Sequence, residues 1–240
     1  MRSSIKFILK IFTGLLILTI IIFLILFLKN LYDIKTGKLN IEDYQNDFSK
    51  IDSTETLSIE ELTINYKTLI TGNFPSYGAE DPELTIIEFG SFSCPYSKQV
   101  SNTIRKMMLK YKDNVKFIYR DFPIDELYPD SSALALAGKC ANEQNKFWAF
   151  HDKMFSNQDI NYYESAIQSG LNGDKFVQCI KAQTYKNQII KDLEDGLNSG
   201  VRGTPTFFFI KKGSETEPAM QEGVIPEDVF DNIINKLLNL

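Results

Sequence analysis

Cys94 stands alone in the stretch Glu88-Phe89-Gly90-Ser91-Phe92-Ser93-Cys94-Pro95-Tyr96-Ser97. An apolar run from Leu84 to Phe92 leads into it, and a helical pattern from Lys98 to Tyr111 follows. The spacing predicts a strand, a tight turn and a helix, with the thiol where the helix begins. A cysteine there faces backbone N–H groups that lack intrahelical partners, and the positive end of the helix dipole. Both favour the thiolate, the reactive form of the side chain. A redox site of the Cys-x-x-Cys kind would carry its second sulfur at position 97, and that residue is serine. Glu88 lies within the apolar run. A carboxylate in a buried strand is costly unless paired or protonated, so Glu88 is either a solvent-facing residue or an acid kept there for its proton.

Other chemistry is thin. The remaining cysteines are Cys140 and Cys179. In an oxidising compartment an odd count suggests one pair and one free thiol, and its turn position makes Cys94 the odd one out. The alternative is three buried, small apolar residues. His151 is the only histidine. Paired with Cys94 it would make a Cys–His hydrolytic site, but it sits on an apolar helix face beside Trp148 and Phe155, where packing is the simpler role. One histidine and three scattered cysteines give no metal-ligand spacing. Gly200 and Gly203 lack the phosphate-loop fingerprint. No cofactor is expected.

Residues Ile11 to Leu28 carry no charge and are almost all Ile, Leu, Phe or Thr. That length is at the short end of a membrane span, and residues 7–9 extend it if Lys10 snorkels. Arg2, Lys6 and Lys10 precede the run and orient the N-terminus to the cytoplasm. No small-x-small cleavage site follows, so the pattern favours an uncleaved signal anchor over a removed signal peptide. The expectation is a single-pass protein of the inner (cytoplasmic) membrane whose domain faces the periplasm or cell exterior. The chain's net charge is −5, and beyond position 28 it carries 23 basic and 31 acidic residues. An acidic domain without a basic stripe argues against nucleic acid as a partner.

The elements that must hold these residues can be read in order. Residues 29–73 are polar and mixed, a stalk with some helical spacing over Leu57 to Ile70. Strands are predicted at Leu84 to Phe89 and Asn114 to Phe122. From about 125 to 199 the periodicity is helical. One helix is capped by Ser131 and Ser132 and runs to about Gln144. Asn145 to Phe155 and Ile160 to Gln168 form others, and a long one is capped by Asp174 and stopped by Gly200. Thr204-Pro205 leads into a strand at Phe207 to Ile210, and Val224-Ile225 reads as the last strand. Pro226 and Glu227 open a C-terminal helix. Strands flanked by helices, with a helical block in the middle, make an α/β layer arrangement. A 43% hydrophobic and 12% aromatic content suits one packed domain.

Three separated stretches resemble the DsbA-like branch of the thioredoxin superfamily. They are Ile86 to Phe89 with Phe92 to Tyr96, Cys140 to Trp148 with His151-Asp152, and Val201 to Phe208. The resemblance covers about residues 74–240 and implies a thioredoxin-like α/β fold with an inserted helical domain; the stalk and the transmembrane helix at 1–28 that precede it are outside the resemblance. It further implies that Cys94 is the nucleophile and that Glu88 is a buried acid exchanging protons with it. Thr204-Pro205 becomes a cis-proline loop that holds a substrate backbone, with Pro95 and Tyr96 as further substrate contacts. Cys140 and Cys179 fall where some relatives carry an extra disulfide, as a structural staple or a second redox pair.

The departure is Ser97, because the family motif is Cys-Pro-x-Cys. In the ordinary cycle the second thiolate attacks the mixed disulfide and releases the substrate. A serine hydroxyl does not do this, though Ser97 could donate a hydrogen bond to the Cys94 thiolate. The expected function is therefore a membrane-anchored, monothiol protein-disulfide oxidoreductase, isomerase-like where a substrate cysteine resolves the intermediate. Its partners are exported polypeptides with cysteines, a low-molecular-weight thiol or redox protein as resolving thiol, and the membrane through residues 7–28. The alternative is a binding module or chaperone for exported polypeptides that has the same groove and no turnover.

Overall fold

A computed structural model describes residues 66–156, 161–214 and 218–240, with Ile22, Leu24 and Ile25 besides. The chain divides into residues 1–41 and residues 42–240. In the first unit Ile22, Leu24 and Ile25 are helical. The rest of the expected span, and the stalk as far as residue 65, lie outside the described residues. Among the described residues no helix is long and apolar enough to cross a membrane.

In the second unit, β1 (Ser76–Gly78), β2 (Leu84–Gly90), β3 (Val115–Asp121), β4 (Thr206–Lys211) and β5 (Ala219–Glu222) form one sheet in the order β1-β3-β2-β4-β5. Central β2 runs parallel to β3 and antiparallel to β4, and the two edge strands are antiparallel to their neighbours. Every residue of β2 is buried. That explains why it reads as a continuous apolar run rather than an alternation: both faces of the sheet are covered.

Side-chain alternation along the strands then decides which residues meet which helices. On one face Leu84, Ile86, Phe207 and Phe209 pack against α2 (Pro95–Lys110) and α8 (Glu227–Leu238) through Val100, Ile104, Met107, Phe230 and Ile234. On the other, Ile87, Phe89, Ile118, Phe122 and Phe208 meet Leu69 of the short helix α1 (Lys67–Ile70). The triple phenylalanine thus serves both layers, and burying each ring is worth roughly 2 kcal/mol.

Five helices lie between β3 and β4: α3 (Ser131–Glu143), α4 (Phe147–Ser156), α5 (Tyr162–Gln168), α6 (Gly173–Lys181) and α7 (Lys186–Asn198). The single long helix expected beyond Asp174 is two helices. The chain breaks between them at Gln183, whose φ is +49°. Asn172, not Asp174, caps α6, its side chain accepting a hydrogen bond from the Lys175 N–H. Leu197, near the end of α7, is 54% exposed. Ser131 and Ser132 do not cap α3 but form its first turn, and their hydroxyls are used elsewhere. Val224-Ile225 is not a strand. Gly223, at φ +80°, turns the chain after β5 and donates its N–H to the Pro205 carbonyl at 2.8 Å. Ile225 then drops into the core beside Phe230.

Candidate active site

Cys94 is the N-cap of α2, with extended backbone at φ −81°, ψ 122°. Its N–H closes a tight turn onto the Ser91 carbonyl at 3.1 Å, and its carbonyl accepts from the Lys98 N–H at 3.1 Å. Pro95 follows at N1, where an N–H would have no intrahelical partner. The thiol donates to the Thr204 carbonyl at 3.2 Å. The Thr204–Pro205 peptide is cis. Its loop is held by the Thr206 hydroxyl on the Gly203 carbonyl at 2.8 Å and by the Gly223 bond to Pro205. Residues 110 positions apart in the chain are thereby joined at the sulfur. Pro95 and Tyr96 lie in the first turn of α2, exposed, Tyr96 to 57%.

Ser97 is fully buried in that same turn. Its Oγ accepts a hydrogen bond from the Ser91 N–H at 3.3 Å, which braces the loop carrying the cysteine. Among the described residues this is its hydrogen-bond partner. The possible donation from Ser97 to the Cys94 sulfur is not among the hydrogen bonds of the described residues, where the Ser97 oxygen accepts from the loop backbone.

Glu88 is 5% exposed and shares the α2-facing side of β2 with Ile86. The solvent-facing alternative is excluded. Burial pushes its carboxyl up to about 8, so it is mostly protonated at neutral pH. Its register partner on β3 is Tyr119. The Tyr119 hydroxyl and Glu88 Oε1 are both buried without hydrogen-bond partners among the described residues. Burial first, then the charges of Asp121, Glu88 and Cys94, raise the Tyr119 phenol well above its ordinary range. Glycine at position 90 makes this approach possible, since a Cβ there would lie 2.9 Å from the Tyr119 hydroxyl. The acid, the phenol and the thiol therefore occupy one buried neighbourhood.

Two further groups reach the sulfur's surroundings without any signal in the linear pattern. Tyr128 sits in the loop between β3 and α3, where burial first and then the neighbouring Cys94 side chain raise its phenol above the ordinary range. Ser131, at the head of α3, shares a 2.8 Å hydrogen bond with the Ser91 hydroxyl and accepts from the Ile124 N–H at 3.2 Å. Phe92 of the active-site loop enters the helical block, with ring centroids 5.3 Å from Phe155 and 5.7 Å from Phe150. His151 belongs to that aromatic cluster. Its ring is 6.0 Å from Phe92, its Nδ1 meets Asp152 at 3.1 Å, and burial lowers its pKa. It is a packed, neutral side chain rather than a base at Cys94. Cys140 and Cys179 form a disulfide between α3 and α6, and Cys94 is a free, buried thiol. Among the described residues no group of His, Cys, Asp or Glu could hold a metal ion.

The likeness to known proteins extends over the same elements. The chain spans about a fifth of the length of the curated relatives it matches. One is a Na(+)/H(+) antiporter NhaA 3 of Salinispora tropica, 29% identical over 135 residues, which is 55% of this chain and 21% of that protein. Among crystal structures, α-DsbA1 of Wolbachia pipientis superposes with a TM-score of 0.65 at 26% identity, covering 74% of this chain and 96% of that one. The thiol-disulfide exchange protein α-DsbA2 of the same organism gives 0.61 at 25% identity, covering 72% and 91%. Residues 71–223 match the thioredoxin family. The match takes in the strand of Glu88, the turn of Cys94, the helical block and the cis-proline loop. This chain belongs to the thioredoxin family, in its DsbA-like branch.

Proposed function

We propose that this chain exchanges disulfides with exported polypeptides through Cys94 alone, and that a thiol from outside completes each exchange. The observation that carries the reading is the pair of positions 94 and 97. A free thiol sits at a helix N-cap against the Thr204 carbonyl. The place of a resolving sulfur holds a buried hydroxyl bonded to the backbone. The Cys94 thiolate attacks a substrate disulfide, forming a Cys94–substrate mixed disulfide and expelling the other substrate sulfur as thiolate. A second thiolate then attacks the substrate sulfur, forms a new disulfide there and expels the Cys94 thiolate. When the second thiolate belongs to the same polypeptide, its disulfide has been moved. When it belongs to a small thiol of the glutathione kind, the substrate leaves capped by that thiol. Glu88, protonated at neutral pH, is placed to return a proton to the departing sulfur. Thr204, Pro205, Pro95 and Tyr96 surround the sulfur as the surface on which an extended substrate segment lies. The apolar run at residues 7–28 and the basic residues among and before it support a membrane anchor with the domain on the exported side.

Refolding of a scrambled disulfide protein in a glutathione buffer tests this. Turnover is expected with the unsubstituted protein and lost in Cys94→Ala. Retained binding of unfolded peptide without turnover would favour the chaperone reading, for which the missing resolving sulfur speaks.

A further inference from the structure

The loop that carries Cys94 is held through Ser91. That residue is buried, at 4% exposure. Its N–H donates to Ser97 Oγ at 3.3 Å, and its carbonyl accepts the Cys94 N–H at 3.1 Å. Both bonds stay within the turn. The Ser91 hydroxyl reaches further. It accepts the Ser93 N–H at 3.4 Å and shares a 2.8 Å hydrogen bond with the hydroxyl of Ser131, 40 positions along the chain.

Ser131 is 1% exposed and opens α3, the first helix of the inserted block. Its own place is set by backbone on both sides. Its N–H donates to the Tyr128 carbonyl at 2.9 Å, and its Oγ accepts the Ile124 N–H at 3.2 Å. The same helix meets the active-site loop a second time. Gly138 lies seven residues on, two turns along the same face. A Cβ there would lie 2.8 Å from a ring carbon of Phe92, so the missing side chain makes room for that ring. One face of α3 thus presents a hydroxyl to Ser91 and a gap to Phe92, and the next residues after these two are Ser93 and Cys94. A hydrogen bond between two buried hydroxyls has no water to take its place when one is removed.

We infer that Ser131 is a positioning residue: its hydrogen bond to Ser91 seats the active-site loop on the inserted helical block and so fixes where the Cys94 sulfur stands beside the Thr204 carbonyl. The inference rests on the reading of Cys94 as the reacting sulfur. Attack on a disulfide needs the incoming sulfur in line with the bond it breaks, and a misplacement of about 1 Å can cost on the order of a hundredfold in rate. The sheet brings Cys94 to the cis-proline loop, and the helical block sets its alignment there.

The test is the rate at which oxidised glutathione captures Cys94 in the full chain, followed by mass. The Cys94 thiolate attacks one sulfur, a Cys94–glutathione disulfide forms, and the other glutathione leaves as thiolate. Ser131→Ala and Ser91→Ala should each slow capture about tenfold. The factor should hold from about pH 7 to about pH 9, since alignment and not protonation has changed. The double variant should stay within about twofold of the slower single one, because both substitutions remove the same bond. Ser91→Ala breaks that bond from the other side and decides alone should Ser131→Ala not fold. A rate unchanged or raised in the folded variants overturns the assignment. A bond that serves stability alone leaves the rate of the folded protein as it was, or speeds it by uncovering a thiol that is 2% exposed. Losses that multiply in the double variant, or a factor that shrinks as pH rises, overturn it too. Capture needs no turnover. Refolding activity that fails while this pattern holds would therefore strike the proposed function and leave the role of Ser131 standing.

Discussion

Glu88 keeps its proton because no partner compensates its charge in a dry site. Its folded-state value of about 8 stands far above the ordinary 4.5. The folded chain therefore holds a proton that the unfolded chain has lost across that window. Stability falls as pH rises from about 4.5 to 8, and levels off above. At about 1.4 kcal/mol per unit, the fall is on the order of 4–5 kcal/mol as an upper bound. Glu88→Gln should remove this slope. Urea unfolding at pH 5 and pH 8 should show the unsubstituted protein losing ground to the variant between the two. A difference that does not change with pH would count against a buried, protonated acid. Glu88 was legible in the sequence because a carboxylate interrupts an apolar strand. Ser97 was legible by what it is not, but its bond to Ser91 was hidden. Tyr128 carried no signal, since an aromatic beside Pro129 in a loop has no period to be read from.

At the scale of elements, periodicity found the strands and helices wherever one face is apolar. It failed where local backbone took over. A glutamine does not announce the left-handed turn it makes at position 183. The four residues of β5 are all exposed and show no alternation, whereas Val224 and Ile225 were apolar enough to pass for a strand. The pairing of α3 with α6 has an energetic consequence. Their disulfide closes a loop of 39 residues, worth about 4 kcal/mol on the chain-entropy estimate. Replacing Cys140 and Cys179 together by serine should lower unfolding free energy by up to that amount in urea titration. Iodoacetamide should still find Cys94. An unchanged stability would mean that the helical block holds together without the bridge.

For the whole molecule, the helical block is joined to the sheet by charge as well as by aromatic packing. Arg120 of β3, fully buried, bonds Asp192 through Nε at 2.6 Å and Asp195 through Nη2 at 2.6 Å, both on α7. Its guanidinium lies 4.2 Å from the Phe74 ring centroid. Lys139 of α3 donates to Asp192 at 2.6 Å and lies 3.1 Å from Asp121. Burial raises Asp121 to about 6, against the pull of Lys139. Asp192→Ala leaves two buried cations short of their acceptor, a loss of about 3–5 kcal/mol, measurable as a lowered urea midpoint. A loss under 1 kcal/mol would mean that water or Asp195 takes over. None of this could be seen in the sequence, where the participants look like ordinary surface charges on separate elements. Arg120 and Asp192 are 72 positions apart, yet neither has a tolerable substitution while the other stands. Descent should record this. Among chains derived from this one, the two positions change together or not at all, and the helical block passes between relatives only with the strand that answers its charge.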